Sequence, residues 1–103
     1  MTEAATALLG AVEGRFAHAA RFVLEELRTR SWASVTFRGA RHELAFRVEG
    51  DGAETAAKAF LAGLKARDFA LRGHLLADLS LVGEERRPGW VRIRLEALTV
   101  EQG

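Results

Sequence analysis

The chain has 103 residues, of which 49% are apolar, and its net charge at pH 7 is +1. This length and composition suit one domain with a single core that needs no metal or disulfide to hold it together. The chain contains no cysteine, which excludes disulfides, thiolate nucleophiles and cysteine-ligated zinc or iron-sulfur centres.

The N-terminal residues do not have the pattern of an export signal. A basic leader is missing, and the apolar run from Ala4 to Val12 is interrupted by Gly10, which does not suit a secretory signal. No stretch approaches the roughly 20 apolar residues that cross a bilayer. We therefore expect a cytoplasmic protein that makes no membrane contact.

The first predicted element is one long helix. Apolar residues recur at steps of three and four from Leu8 to Leu27, which places them on one stripe of a helix. Thr2 can cap its start. Two glycines inside the stretch weaken a helix, but the stripe keeps its phase across both. We expect a single helix that ends near Arg30.

A first hairpin follows. Apolar and polar residues alternate over 32–38 and again over 43–49, with Gly39-Ala40 between them. Alternation of this kind predicts two half-buried strands joined by a tight turn. The side chains that face the core in this interpretation are Ala33, Val35, Phe37, Leu44, Phe46 and Val48.

A second helix and a second hairpin complete the chain. Asp51 and Glu54 have the spacing of a helix-capping pair, and the apolar pattern predicts a helix from Ala53 to about Arg67. Two further strands cover residues 75–81 and 91–97, with a polar loop between them from Gly83 to Gly89.

The predicted order is α-β-β-α-β-β in a single domain, residues 1–103, with two αββ halves at about 15–50 and 51–103. The halves also align in sequence, with Leu24 on Leu61 and Trp32 on Phe69. Duplication and chance resemblance between amphipathic helices both explain this match. Two helices on one face of a four-stranded antiparallel sheet form an α+β two-layer sandwich. The pattern resembles a circularly permuted ferredoxin-like fold with strand order 3-4-2-1.

The sheet face opposite the helices is the predicted functional surface. Both tryptophans fall on it, together with arginines and aliphatic residues, a composition typical of protein interfaces. The alternative is plain sheet surface, in which each tryptophan folds over the end of the core and the arginines, Arg38 included, pair with Glu43, Glu49 and Glu96. The interface residues that we predict are Trp32, Arg47, Leu76, Val82, Trp90, Arg92 and Arg94.

No catalytic set is apparent. His74 and Asp78 share a predicted strand face, but four residues of strand separate them by ~13 Å. We expect structural or solvated roles for His18, His42 and His74. The best candidate ligand set is His74, Asp78 and Arg92. No histidine or carboxylate spacing indicates a metal site, and we expect no cofactor.

Three functions are compatible with this pattern. The preferred one is a non-catalytic interaction or accessory domain that forms a homodimer through the open sheet face. The second is a small-molecule sensor or enzyme with a pocket on that face or at a subunit interface. The third, nucleic-acid binding, is disfavoured because a sheet that binds RNA needs central stacking aromatics with cations around them, and carboxylates share this face.

Overall fold

A computed structural model describes residues 1–102. Its elements are α1 (Glu3–Gly14), β1 (Arg21–Ala33), β2 (Arg38–Glu49), α2 (Ala53–Ala62), β3 (His74–Arg87) and β4 (Trp90–Glu101), with a single 3-10 turn at Ala66–Asp68. The strands form one antiparallel sheet in the order β1-β2-β4-β3. The predicted α+β sandwich and its strand order are confirmed.

The core lies between the helices and one face of the sheet. Alternate residues of the two central strands are buried there: Leu44, Phe46 and Val48 on β2, and Val91, Ile93 and Leu95 on β4. The Phe16 ring, just after α1, lies 5.4 Å from the Phe46 ring and 4.9 Å from the Phe60 ring of α2, centroid to centroid. Aromatic contacts of this kind add to the apolar burial and hold both helices over the middle of the sheet.

The predicted long helix is wrong beyond Gly14. Thr2 caps α1 as expected, because its Oγ1 accepts a hydrogen bond from the Ala5 amide at 3.1 Å, but residues 21–33 form β1. The cause is a bulge in β1. Leu24 pairs with Phe46 and Glu26 with Ala45, so that one extra residue shifts the alternation.

That bulge makes the β1 sequence ambiguous. Phe22, Leu24 and Leu27 fit a helical stripe as well as they fit a bulged strand. All twelve residues of β2 find a partner in β1, and this pairing decides between the two. Non-local pairing overrides local helix preference in such cases.

Several boundaries also differ from the prediction. The first turn lies at residues 34–37 rather than at Gly39-Ala40, so Val35 and Phe37 are exposed at the hairpin tip instead of buried. The α2 helix ends at Ala62 rather than near Arg67, and its N-cap is Gly52, with no side-chain cap from Asp51.

The second hairpin is longer than predicted. Strand β3 continues to Arg87, and its loop is only Pro88-Gly89, where Gly89 has a φ of 85°. Glycine adopts this left-handed conformation without the steric cost that other residues meet. The alignment of the two halves is wrong residue by residue, because Leu24 lies in a strand and Leu61 in a helix, and the first helix precedes the expected start near residue 15.

A bulge in β3 reverses two predicted side chains. Leu76 pairs with Thr99 while Asp78 pairs with Leu98, so Ala77 is the extra residue. Before the bulge, His74 and Leu76 therefore face the helices and are buried. Their predicted position on the open face is wrong, since strict alternation takes no account of an inserted residue.

His42 is buried on the helix side of the sheet and bonds to two threonines. Its Nδ1 lies 2.9 Å from Thr29 Oγ1 and its Nε2 lies 2.9 Å from Thr99 Oγ1. The Thr99 hydroxyl donates to the Ala40 carbonyl at 3.4 Å, so it accepts from Nε2–H, and Nδ1 accepts from Thr29. Burial, followed by the nearby His74, lowers the pKa of His42. The neutral ring is therefore the form that the fold holds.

We expect the free energy of unfolding to fall as pH drops below about 6.5, the ordinary histidine pKa. In that range the unfolded chain binds a proton that the folded His42 resists, so protonation favours unfolding, and this loss is absent above pH 6.5. Urea unfolding at a series of pH values tests this. His42→Gln should flatten the pH dependence, and the exposed His18→Gln should leave it unchanged. An equally steep loss in His42→Gln would assign it to another group.

Candidate functional site

The open face is the side of the sheet opposite the helices. Its side chains form rows across the four strands in the order β1-β2-β4-β3. From the Trp90 end, the rows are Arg21, Glu49, Trp90 and Arg87; Val23, Arg47, Arg92 and Glu85; Glu26, Ala45, Arg94 and Gly83; Arg28, Glu43, Glu96 and Ser80; Arg30, Arg41, Leu98 and Asp78; and Trp32, Gly39, Val100 and Leu75. We call the first three rows, together with Glu25 at the β1 bulge, the paired half. We call the fourth and fifth rows the groove.

Glu25, the bulge residue of β1, is the centre of the paired half. Arg47 and Arg92 stand directly opposite each other on β2 and β4. The Glu25 carboxylate accepts from Arg92 Nε at 2.6 Å and from Arg47 Nη1 at 2.8 Å. These bonds, that from Arg92 first, lower the pKa of Glu25, and the bond to Glu25 raises the pKa of Arg92. One carboxylate thus neutralises two opposed cations.

Further pairs complete this network. Arg47 Nε lies 2.7 Å from a Glu49 oxygen, Arg92 also binds Glu85, and Arg94 Nη1 lies 3.2 Å from a Glu26 oxygen.

Trp90 lies among these charges. Its ring is 5.0 Å from the Arg92 guanidinium and 5.9 Å from that of Arg47, within range of cation-π attraction. The paired half therefore satisfies its own charges.

The groove differs sharply from the paired half. It has a volume of about 460 Å³ and is lined by three arginines and three carboxylates, together with Ser80 and Leu98. Glu43 stands directly opposite Glu96, and Arg30 directly opposite Arg41. Within residues 1–102, none of these four side chains has an ion-pair partner within 4.0 Å. Glu43 and Glu96 thus do not pair with arginines, whereas Glu49 does.

Trp32 lies in the row next to the groove, opposite Gly39. Its ring packs on Gly39, where an added Cβ would lie 2.6 Å from the ring and would collide with the Thr99 carbonyl oxygen. The indole Nε1 is buried without a hydrogen-bond partner among the described residues. Trp32 is therefore half-buried, and its ring covers Gly39 of the sheet.

The structure brings together some of the predicted site residues and separates others. Four of them lie together in the paired half: Arg47, Trp90, Arg92 and Arg94. Trp32 lies in the row next to the groove. Val82, the extra residue of a second β3 bulge, is 55% exposed. Leu76 belongs to the core.

The candidate ligand set is dispersed. His74 is buried on the helix face, Asp78 lines the groove, and Arg92 is occupied by Glu25 and Glu85. Among the described residues, no group of three histidines or carboxylates could hold a metal ion.

Sequence reasoning missed Glu25 and the two opposed pairs. Glu25 was hidden because its segment was assigned to a helix. The opposition of Glu43 to Glu96 depends on strand register, which local patterns do not specify. A search for bulged alternation over residues 21–33 could have found β1.

Comparisons with known proteins place the fold. No protein-family profile and no curated protein matches this sequence. A solved chain from the virion of a native gene transfer agent particle is similar in structure, with a TM-score of 0.64 over 97% of this chain and 98% of that chain, at 19% sequence identity. No helix in the described part of the chain has the length and hydropathy needed to cross a membrane.

Gly39→Ala should destabilise the fold by about 1–3 kcal/mol, the usual range for a side chain forced into a filled space. The added methyl meets the backbone of Thr99 and the Trp32 ring, and the backbone cannot move aside cheaply. Urea unfolding measures the effect. Gly10→Ala on α1 is the control, because nothing lies within 4 Å of its added Cβ. Equal stability of Gly39→Ala and the wild type would contradict this packing.

Glu25→Gln should lower stability by about 1 kcal/mol, less than the roughly 1.5–3 kcal/mol of hydrogen bonds to charged groups, because water screens this partly exposed network. It leaves Arg47 and Arg92 opposed with no carboxylate between them. Because the pKa of Glu25 is lowered in the fold, the loss should be present at pH 7 and shrink as the pH falls through that pKa. Urea unfolding at pH 7 and pH 3.5 tests this, with Glu13→Gln on α1 as the control. A loss equal at both pH values would mean that the charge of Glu25 is irrelevant.

Proposed function

We propose that this chain is a non-catalytic structural subunit of a multi-subunit particle, and that it associates with further copies of itself through the open face. The observation that carries the proposal is the likeness to a chain of a gene transfer agent virion along nearly the whole length of both chains. A virion is built from many protein subunits, and a subunit needs surfaces that bind its neighbours. The proposal transfers that role to the present chain.

The open face supports this role. It carries both tryptophans, and arginine and tryptophan are enriched where proteins bind each other. Its groove also carries charges that lack partners in the described residues. The helix-covered face, in contrast, is already filled by the core.

Small-molecule binding is a second candidate, and the groove is the observation that favours it. Arg30 and Arg41 present exposed guanidinium groups in a concave space of about 460 Å³, which is within the usual size range of ligand pockets. A carboxylate or phosphate compound that raises the melting temperature of the wild type, but not of Arg30→Gln/Arg41→Gln, would support it. His74 takes no part in this version, because it is buried on the other face.

Self-association should be visible at micromolar concentration. We expect native mass spectrometry and light scattering to report dimers or larger assemblies. The only two tryptophans, Trp32 and Trp90, both lie on the open face, so acrylamide should quench their fluorescence less efficiently as concentration rises and the assembly forms.

Trp32→Phe and Trp90→Phe separate the two signals, and the slope for each remaining tryptophan reports its own end of the face. A chain that stays monomeric up to ~100 μM, which corresponds to an association free energy no more favourable than about −5.5 kcal/mol, would refute the proposal. Association without any change in quenching would place the contact elsewhere.

A further inference from the structure

We propose that the groove binds the groove of a second copy about a two-fold axis, with Glu43 and Glu96 of one copy meeting Arg30 and Arg41 of the other. This inference rests on the proposed self-association and specifies where it occurs and which charges direct it.

Like charges stand directly opposite each other in the groove. Glu43 faces Glu96 across β2 and β4, and Arg30 faces Arg41 across β1 and β2. Opposed positions in an antiparallel pair have Cβ atoms only about 5 Å apart, and like charges there are destabilising. All four residues are exposed, so water screens the repulsion without removing it. Arg28 stands opposite Glu43 across β1 and β2, but its guanidinium binds Glu26 at 2.8 Å instead. In the isolated chain the two like-charge pairs are therefore an electrostatic cost.

The paired half of the same face also contains a like-charge pair, but that pair is neutralised. Arg47 and Arg92 are opposed in the same way, but Glu25 bridges them with bonds of 2.8 and 2.6 Å. This chain thus supplies a counter-charge to one like-charge pair, whereas no ion-pair partner for the other two occurs in residues 1–102. A partner molecule can provide the missing charges.

The charge composition of the groove indicates which partner it binds. The groove holds three arginines, Arg28, Arg30 and Arg41, and three carboxylates, Glu43, Asp78 and Glu96. A surface with equal numbers of both charges does not favour a polyanion, which needs an excess of cations. It does favour another surface of the same composition, and a second copy of this chain has one.

The positions of the acidic and basic pairs fit a two-fold contact. The acidic pair lies two residues from the basic pair along β2 and one strand to the side, so the centres of the two pairs are roughly 8 Å apart. A two-fold axis that lies between two facing grooves, midway between the pairs, exchanges them. Each acidic pair then meets a basic pair, and both contacts form at once. Two-fold contacts have this self-complementary form, and Leu98 lies in the groove as an apolar contact.

Charge reversal tests the contact. Glu43→Lys/Glu96→Lys makes both opposed pairs of the groove basic and leaves Asp78 as its one carboxylate. It should raise the dissociation constant of the homodimer by at least about tenfold, because like charges then meet across the interface. Arg30→Glu/Arg41→Glu makes both opposed pairs acidic and leaves Arg28 as the one cation, and it should have the same effect. An equimolar mixture of the two variants should form a heterodimer again, because each groove complements the other. Native mass spectrometry distinguishes the species by mass.

Matched controls carry the same charge changes on the helices. Glu3→Lys/Glu13→Lys on α1 and Lys58→Glu/Lys65→Glu, on α2 and just after it, alter exposed residues, and both should associate as the wild type does. Circular dichroism checks folding of each variant. If a reversed variant does not fold, Glu43→Gln/Glu96→Gln and Arg30→Gln/Arg41→Gln replace it, and each should weaken association.

The outcomes separate the two proposals. A wild type that never associates refutes self-association itself. A wild type that associates, with reversed variants that associate equally well, refutes only the groove contact and points to the strand edges or the hairpin tip. Loss in both variants without recovery in the mixture would also overturn the two-fold arrangement, because recovery requires the acidic and basic pairs to meet.

Discussion

The register of β2 against β4 is the constraint on which the rest of this structure depends. The same pairing that sets Leu44 opposite Leu95 and Phe46 opposite Ile93 in the core also sets Glu43 opposite Glu96 on the other face. Burial of a large apolar side chain is worth about 1.5–3 kcal/mol, and an exposed like-charge opposition costs roughly 0.2–1 kcal/mol. The core therefore decides the register, and the outer face accepts the charge arrangement that follows.

Bulges in the two edge strands re-aim side chains without changing this central pair. In β1 the extra residue brings Glu25 between two opposed arginines, and in β3 the extra Ala77 turns Leu76 into the core. Edge strands tolerate such insertions because only one of their sides is paired. The charge network of the open face and part of the core thus both depend on irregularities at the sheet edges.

The open face consequently has two halves of different character. In the paired half, Arg92 and Arg94 of β4 each have a carboxylate partner, and the Trp90 ring lies beside Arg92 and Arg47. In the groove, opposed like charges have no ion-pair partner in residues 1–102. A face that was merely solvated sheet would not need this division, since both halves carry enough arginine and carboxylate to pair. The proposed association with another copy would give the division a physical reason.

Local pattern was sufficient for the part of the fold where alternation is regular. Over residues 43–49 and 91–97 a strict two-residue period has one interpretation, so the central strands and their buried side chains followed directly, and the order of elements with short connections led to the sandwich. The period failed wherever a residue was inserted. Residues 21–33 fit a helical stripe and a bulged strand equally, and Leu76 was assigned to the wrong face for the same reason.

Sequence by itself thus determined the class of fold and the inward faces of β2 and β4, because hydrophobic periodicity records which side of an element is buried. The strand order followed from the resemblance of the element order to a permuted ferredoxin-like fold. Only the tertiary structure decided that Arg21–Ala33 is a strand, that Glu25 bridges Arg47 and Arg92, and that Glu43 faces Glu96. These features depend on which residues of distant strands lie opposite each other. Register and bulges arise from contacts between segments far apart in the chain, and no local period encodes them.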